Sequence, residues 1–158
     1  MASTSASAGW SPDLTPALQA AAETHARAMM VDLDYVGVLA IELFVVGDEL
    51  LGNEMAPRVH NSGHWTIEGA ETSQFEQHLR AVTGRALGPT GMLGVAAMVN
   101  LIGSEPHAEV VAAIPGAHMH TYGKAPRPGR KLGHITVRAP DIETLEGPLL
   151  QVERVIGS

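Results

Sequence analysis

The chain has 158 residues, 17 acidic against 10 basic side chains, a formal charge of −7, 45% hydrophobic residues and no cysteine. That length fits one domain, or one with a small second domain, burying roughly 70% of the unfolded surface, and the composition is globular rather than disordered. The acidic balance excludes general nucleic-acid binding, the missing cysteines exclude a disulfide framework or thiolate metal site, and no apolar run approaches the roughly 20 residues that span a bilayer.

Residues 1–10 are rich in serine and alanine, lack the basic region and apolar core of a signal peptide, and read as a disordered tail. Ser11-Pro12-Asp13 predicts a helix start: serine caps, proline suits the first helical position, and the acid complements the positive helix end. Leu14, Leu18, Ala21, His25, Ala28 and Met29 form one stripe and carry the helix to Met30. Val36 to Val46 is apolar without alternation, the pattern of a strand buried on both faces. Gly47-Asp48 is a turn, and Glu49 to Met55 returns as a second strand.

Glu42 is the wrong residue for such a strand. A buried carboxylate costs several kcal/mol unless it is paired, protonated or metal-bound. A second acid, Glu54, lies on the return strand, and parity relates the two. A two-residue loop sets Glu42 opposite Asn53, whereas a three-residue loop, Gly47 to Glu49, sets it opposite Glu54, with Cβ atoms about 5 Å apart. Two bare carboxylates there repel and a divalent cation binds both, so a three-residue or other odd loop is expected. Pairing with Arg58 or a lysine is the plain structural alternative. Carboxylate and amide oxygens suit magnesium, which also takes substrate phosphates into its shell.

Downstream, Ser73-x-x-Glu76 is a capping box, Phe75, Leu79 and Val82 supply an apolar helix face, and Gly84 suits the helix end. Leu87 to Met92 reads as a linker. Ala96 to Ile102 is a strand, His107 to Ala113 a short helix, His118 to Tyr122 and Leu132 to Val137 two more strands. Asp141 opens a last helix that Gly147-Pro148 is expected to interrupt.

Both lysines of the chain fall in the segment 124–131. Lys124, Arg127, Arg130, Lys131 and Arg138 place five of the ten basic residues within fifteen positions, a local anion site on an acidic protein. Its prolines and glycines let backbone approach an anion, and arginine's fork matches phosphate. A solvated flexible loop is the alternative. His60-x3-His64 with His118-x-His120 could ligate zinc, but Asn61-Ser62-Gly63 disfavours the helix that the first pair needs. His60 reads better as a hydrogen-bond donor, or as a proton-transfer group if it titrates near neutrality. Trp65 and Phe75 read as packing residues.

Asn53-Glu54-Met55-Ala56-Pro57-Arg58-Val59-His60-Asn61-Ser62-Gly63-His64-Trp65-Thr66, then Ser73-Gln74-Phe75-Glu76 and His78-Leu79-Arg80-Ala81, closely resemble the 5-(carboxyamino)imidazole ribonucleotide synthases of the ATP-grasp superfamily. So do Tyr122-Gly123-Lys124 and Arg127-Pro128-Gly129-Arg130-Lys131-x-Gly133-His134. The resemblance runs from about Ser11 to Val137. It implies a purine-biosynthetic ligase in which ATP activates bicarbonate and the amine of 5-aminoimidazole ribonucleotide is carboxylated. Glu42 and Glu54 match the family's Mg2+-binding acids, and Asn53 and Glu54 its ATP site. Arg58, His60 and Lys124 match catalytic positions, and Asn61, Arg127, Arg130 and Lys131 match positions that hold the ribonucleotide substrate.

Full members of the family also carry an N-terminal Rossmann-like domain and a first ATP-grasp half whose glycine-rich loop and lysines hold the phosphates. No lysine precedes Lys124 here. The resemblance therefore implies an α+β fold made of the C-terminal half of an ATP-grasp domain (11–87) followed by a small β-rich C-terminal domain (88–158). It implies ATP and Mg2+ as cofactors and the missing N-terminal half as partner, with neither nucleic acid nor membrane. The family is commonly dimeric, which makes a second copy of the chain another candidate partner, and the absence of cysteine fits a cytoplasmic location. Two functions follow: a part of the synthase that is inactive alone, or a non-catalytic nucleotide-phosphate-binding or assembly module derived from the same fold.

Overall fold

The computed structural model describes residues 14–157. They form two compact units: residues up to Gly63 together with Gln74–Pro89, and His64–Ser73 together with the chain from Thr90 onward. The expected tail, 1–10, and the expected cap Ser11-Pro12-Asp13 lie outside the described residues.

In the first unit, helix α1 (Pro16–Asp32) starts at Thr15-Pro16: Thr15 Oγ1 accepts from Leu18 N–H at 3.3 Å and Pro16 opens the first turn. It ends with Tyr35 N–H on Met30 O at 3.0 Å and Asp34 N–H on Val31 O at 3.1 Å, Asp34 standing at φ 46°. This is a Schellman ending with aspartate in the left-handed position that glycine usually fills. Strands β1 (Ala40–Val46) and β2 (Glu49–Ala56) make an antiparallel hairpin.

The hairpin corrects one expectation and preserves its consequence. Val46 pairs with Glu49, so the loop has two residues, Gly47-Asp48, and not three. Gly47 takes φ 61°, open to glycine at no steric cost. A β-bulge then restores the odd parity: Leu43 pairs with Gly52 but Glu42 pairs with Glu54, leaving Asn53 as the extra residue. The two acids are opposed because β2 is kinked, not because the loop is long.

Burial on both faces is a second correction. Phe44 is 57% exposed, and Val45, Val46, Leu51 and Met55 are exposed with it. The pattern describes a strand with layers on either side, but among the described residues β1 pairs only with β2, and two strands cannot cover themselves. Helix α3 (Gln74–Val82) departs the same way: Leu79 is 62% exposed, Phe75 and Val82 face solvent, and Gln74 is the buried residue. Its end follows the reading, with Gly84 at φ 67°, Arg85 N–H on Arg80 O and Gly84 N–H on Ala81 O. From α3, His78 Nδ1 accepts the Val38 N–H at 3.1 Å and so fixes the entry to β1.

The second unit is a three-stranded antiparallel sheet ordered β3 (Val95–Ile102), β5 (Lys131–Ala139), β4 (Ala117–Thr121). Helices α4 (Ala108–Ala112) and α5 (Ile142–Ile156) supply Val111, Leu145 and Val152 to a core with Leu101, Ile135 and Val137. The short helix α2 (Thr66–Gly69) contributes Trp65 just before it, which packs on Gly69 so closely that a Cβ there meets the indole.

Helix α5 is not interrupted at Gly147-Pro148, which corrects the third expectation. A proline inside a helix removes one hydrogen bond and costs about 3 kcal/mol. Leu145, Leu149, Val152 and Ile156 recur at helical spacing and pack on the sheet, and full burial of Leu145 and Val152 alone, at roughly 1.5–3 kcal/mol each, offsets the penalty. Asp141 caps the helix through Thr144 N–H at 2.8 Å.

Candidate functional site

The hairpin and the loop after it gather the acids, an amide and an imidazole. The Asn53 amide, freed from the ladder by the bulge, donates to Glu42 Oε2 at 3.1 Å. His60 Nε2 lies 3.7 Å from Glu42 Oε1. On the other side of that ring, Nδ1 accepts the Ser62 backbone N–H at 3.3 Å and meets Ser62 Oγ at 2.9 Å. An acceptor Nδ1 leaves the ring proton on Nε2, facing the carboxylate. His60 is 12% exposed at its side chain and Glu42 43%, so Glu42 is half-buried and not the sealed carboxylate that the apolar run implies.

Gln74 holds this loop. Its Nε2 donates to His60 O at 2.8 Å and its Oε1 accepts from His60 N–H at 2.9 Å, so one buried amide fixes both backbone groups of the histidine. Sequence reading passed over it, because a glutamine in the first turn of a helix looks like a solvated residue. The signal was its place after the capping serine, fourteen residues from His60. Arg58 is exposed and directs Nη1 to Val59 O at 3.0 Å, and Asn61 buries an Oδ1 with no protein partner among the described residues. Of the residues singled out in this unit, Glu42, Asn53, Glu54 and His60 come together, whereas the Arg58 guanidinium turns to the carbonyl of Val59.

In the second unit the basic segment is the β4–β5 hairpin loop. Tyr122 N–H bonds Leu132 O at 2.8 Å, Arg130 N–H bonds Arg127 O at 3.1 Å, and Gly103 N–H bonds Arg130 O at 2.8 Å. Gly123 and Gly129 take φ 65° and 73°. Arg130 Nη1 donates to Ala125 O at 3.1 Å, bracing the loop from within. Lys124 Nζ sits 5.4 Å above the Tyr122 ring, Arg127 is exposed, and Lys131 is half-buried at the start of β5.

Beneath the loop lies a group that motif reading did not collect: His64, Glu68, His120, Tyr122 and His134. His120 Nε2 is 2.7 Å from Glu68 Oε1, and Tyr122 Oη is 2.9 Å from His134 Nδ1. Burial, with the neighbouring charges of His120, His64 and Lys131, lowers the His134 pKa to about 4 against an upward pull from Glu68. The alternation His118-x-His120-x-Tyr122 was visible, but His134 joins it only through strand register. Among the described residues no three His, Cys, Asp or Glu side chains gather as a metal site, so the zinc geometry is not formed.

The acid pair opposed across a bulged hairpin places the first unit in the ATP-grasp class. An ATP-grasp domain model matches residues 5–75, and a phosphoribosylaminoimidazole carboxylase C-terminal domain model matches residues 96–147. The N5-carboxyaminoimidazole ribonucleotide synthase of Pseudomonas aeruginosa is 55% identical over 139 residues, covering 88% of this chain and 39% of that protein. The crystal structure of the Thermus thermophilus synthetase superposes with a TM-score of 0.86 at 60% identity, over 93% of this chain and 41% of that one. The Aspergillus clavatus synthase, solved with ADP and 5-aminoimidazole ribonucleotide, gives 0.80 at 36% identity, over 92% and 41%. The chain is similar to the N5-carboxyaminoimidazole ribonucleotide synthases, and its second half matches a model of their C-terminal domain. It spans about two fifths of the length of the relatives it matches.

Proposed function

We propose that the chain is the C-terminal portion of an ATP- and bicarbonate-dependent ligase that carboxylates 5-aminoimidazole ribonucleotide in de novo purine biosynthesis, in the cytoplasm. The observation that carries the reading is the opposition of Glu42 and Glu54 with the Asn53 amide bonded to Glu42, in a chain whose relatives bear that name. This oxygen donor set fits a hard cation: two carboxylates and an amide, half-buried to exposed, with room for water or phosphate oxygens. Glu42 and Glu54 would hold Mg2+ there, with Asn53 and Glu54 facing the nucleotide. Bound, the ion neutralises nucleotide phosphate charge.

The other residues act by charge and position. His60, with its proton on Nε2 and its backbone clamped by Gln74, offers a fixed donor to an anionic carbonyl-derived oxygen. The Arg58 guanidinium and Lys124 ammonium offset charge on the activated bicarbonate and the new carboxylate, where fixed cations lower the barrier most. Asn61, Arg127, Arg130 and Lys131 hold the ribonucleotide, arginine gripping its phosphate by two parallel bonds.

Turnover requires the remaining three fifths of the relatives' length, and the exposed strand β1 with the apolar face of α3 is where that protein matter would pack. A second copy of the chain is a further candidate partner. The test mixes the purified 158 residues with the complementary N-terminal portion of a relative and follows ATP- and bicarbonate-dependent carboxylation. Activity on mixing, absent from either piece, is the expected result. Turnover by the 158 residues alone refutes the division of labour. Ribonucleotide binding with no rescue by any complement favours a non-catalytic module.

A further inference from the structure

One polar row in the second unit is left without a role by the reading above. Strand register sets Asn100, His134 and His120 side by side across β3, β5 and β4, so they share one face of the sheet. Residues of opposite parity, Leu101 and Ile135, belong to the apolar core. His134 is 1% exposed. Its ring stacks on His120 at 4.7 Å and 18°, and His64 approaches at 5.2 Å. Three imidazoles this close cannot all be charged, and Glu68 bonds His120.

The proton positions follow from that crowding. The Glu68 side chain is largely buried and its Oε1 lies 2.7 Å from His120 Nε2, so that ring nitrogen carries a proton and donates it to the carboxylate. His134 stays neutral, since burial and its histidine neighbours oppose a charge there. Burial also raises the Tyr122 pKa, which keeps the phenol protonated. The Tyr122 O–H therefore donates to His134 Nδ1, and the ring carries its own proton on Nε2. Asn100 Oδ1, an acceptor in the same row, and His134 Nε2 are both buried without a partner among the described residues.

We propose that Glu68, His120, His134 and Tyr122 form a positioning chain whose product is the placement of the Lys124 ammonium. Glu68 anchors His120, His120 supports the His134 ring, and His134 fixes the Tyr122 hydroxyl. Gly123, at φ 65°, turns the backbone so that Lys124 lies over the Tyr122 ring. None of the four needs to touch substrate. The inference rests on the proposed function only for its catalytic consequence, because the placement of Lys124 is a property of the unit itself.

The chain has two lysines, so reductive 13C-methylation of the full 158 residues gives two lysine signals, with the amino terminus as a third. The Lys124 signal should lie upfield of free dimethyl-lysine through the Tyr122 ring current. Tyr122→Leu should abolish the displacement. His134→Ala and Tyr122→Phe, the latter keeping the ring and losing only the hydroxyl, should each remove at least half of it with the fold retained. An unchanged Lys124 signal in a folded Tyr122→Phe protein overturns the proposal, and this conservative variant decides should His134→Ala not fold. Histidine 15N shifts supply a second readout: His134 should show an unprotonated Nδ1 at pH 6–8, and an Nδ1–H tautomer or imidazolium there overturns it. Calorimetry with 5-aminoimidazole ribonucleotide separates the two readings. Lost binding with the expected lysine shifts counts against the ribonucleotide reading and supports the positioning chain, whereas retained binding with an immobile Lys124 signal does the reverse.

Discussion

Acid should weaken the second unit through His134 in a way that a single substitution removes. In the unfolded chain this imidazole takes a proton below about 6.5, whereas in the fold it does so only near 4. Between those values the unfolded state binds more protons, so stability is fully present above 6.5 and is lost as pH falls toward 4. The ceiling on that loss is roughly 3 kcal/mol. Half-exposed His120 admits water that screens the neighbouring charges, so about 1.5–2 kcal/mol is expected. The groups facing His134 are His120 from β4, Tyr122 just after that strand, Lys131 from β5, and His64 and Glu68 from the α2 region. Urea unfolding followed by Trp65 fluorescence in a Trp10→Phe background, repeated from pH 7 to 4, measures the effect against a His134→Gln partner. His134→Gln is less stable at pH 7, but its stability should fall less steeply across the window. Parallel pH profiles for the two proteins would refute the reasoning, and so would a wild-type profile that rises toward pH 4.

Three other perturbations have definite outcomes. Gln74→Ala removes both bonds to His60, so it should cost about 1–3 kcal/mol and raise amide exchange at His60 and Ser62 in hydrogen-exchange NMR; unchanged exchange there contradicts the clamp. Gly133→Ala drives a Cβ into the His120 carbonyl across the β4–β5 pair, where backbone cannot yield, and should cost about 3 kcal/mol in chemical denaturation. Glu42→Gln or Glu54→Gln in the complemented enzyme should lower kcat at least ~100-fold with little change in melting temperature, since each weakens a cation site and not a core.

Much of this was legible in the chain, for reasons that differ by element. Strands β3, β4 and β5 and the helix cap at Asp141 were readable because local chemistry decides them: apolar runs bounded by glycine, and an aspartate before a helical stripe. The pairing of Glu42 with Glu54 was inferred correctly from the cost of burying acids, but by the wrong device, since a bulge carries no residue signature beyond the weak strand propensity of Asn53. The exposure of β1 and α3 was hidden because an apolar pattern records what an element is built to face, not whether the described residues include it. Helix α5 outlasted Pro148 because tertiary burial outweighed a local breaker. The site was least legible where register makes it: His120, Tyr122 and His134 are neighbours only across a ladder, and Gln74 only through a loop that returns on itself.

The bulge at Asn53 has a consequence for how the hairpin tolerates change. Side-chain parity in β2 is counted separately on either side of the extra residue, so the tip from Leu43 to Gly52 and the base carrying Glu42 and Glu54 differ by one residue in register. One added residue in the turn and one lost at the bulge cancel, returning both acids to the same face. Tip length can therefore drift by insertion and deletion while the acid pair stays in register, provided the two events compensate.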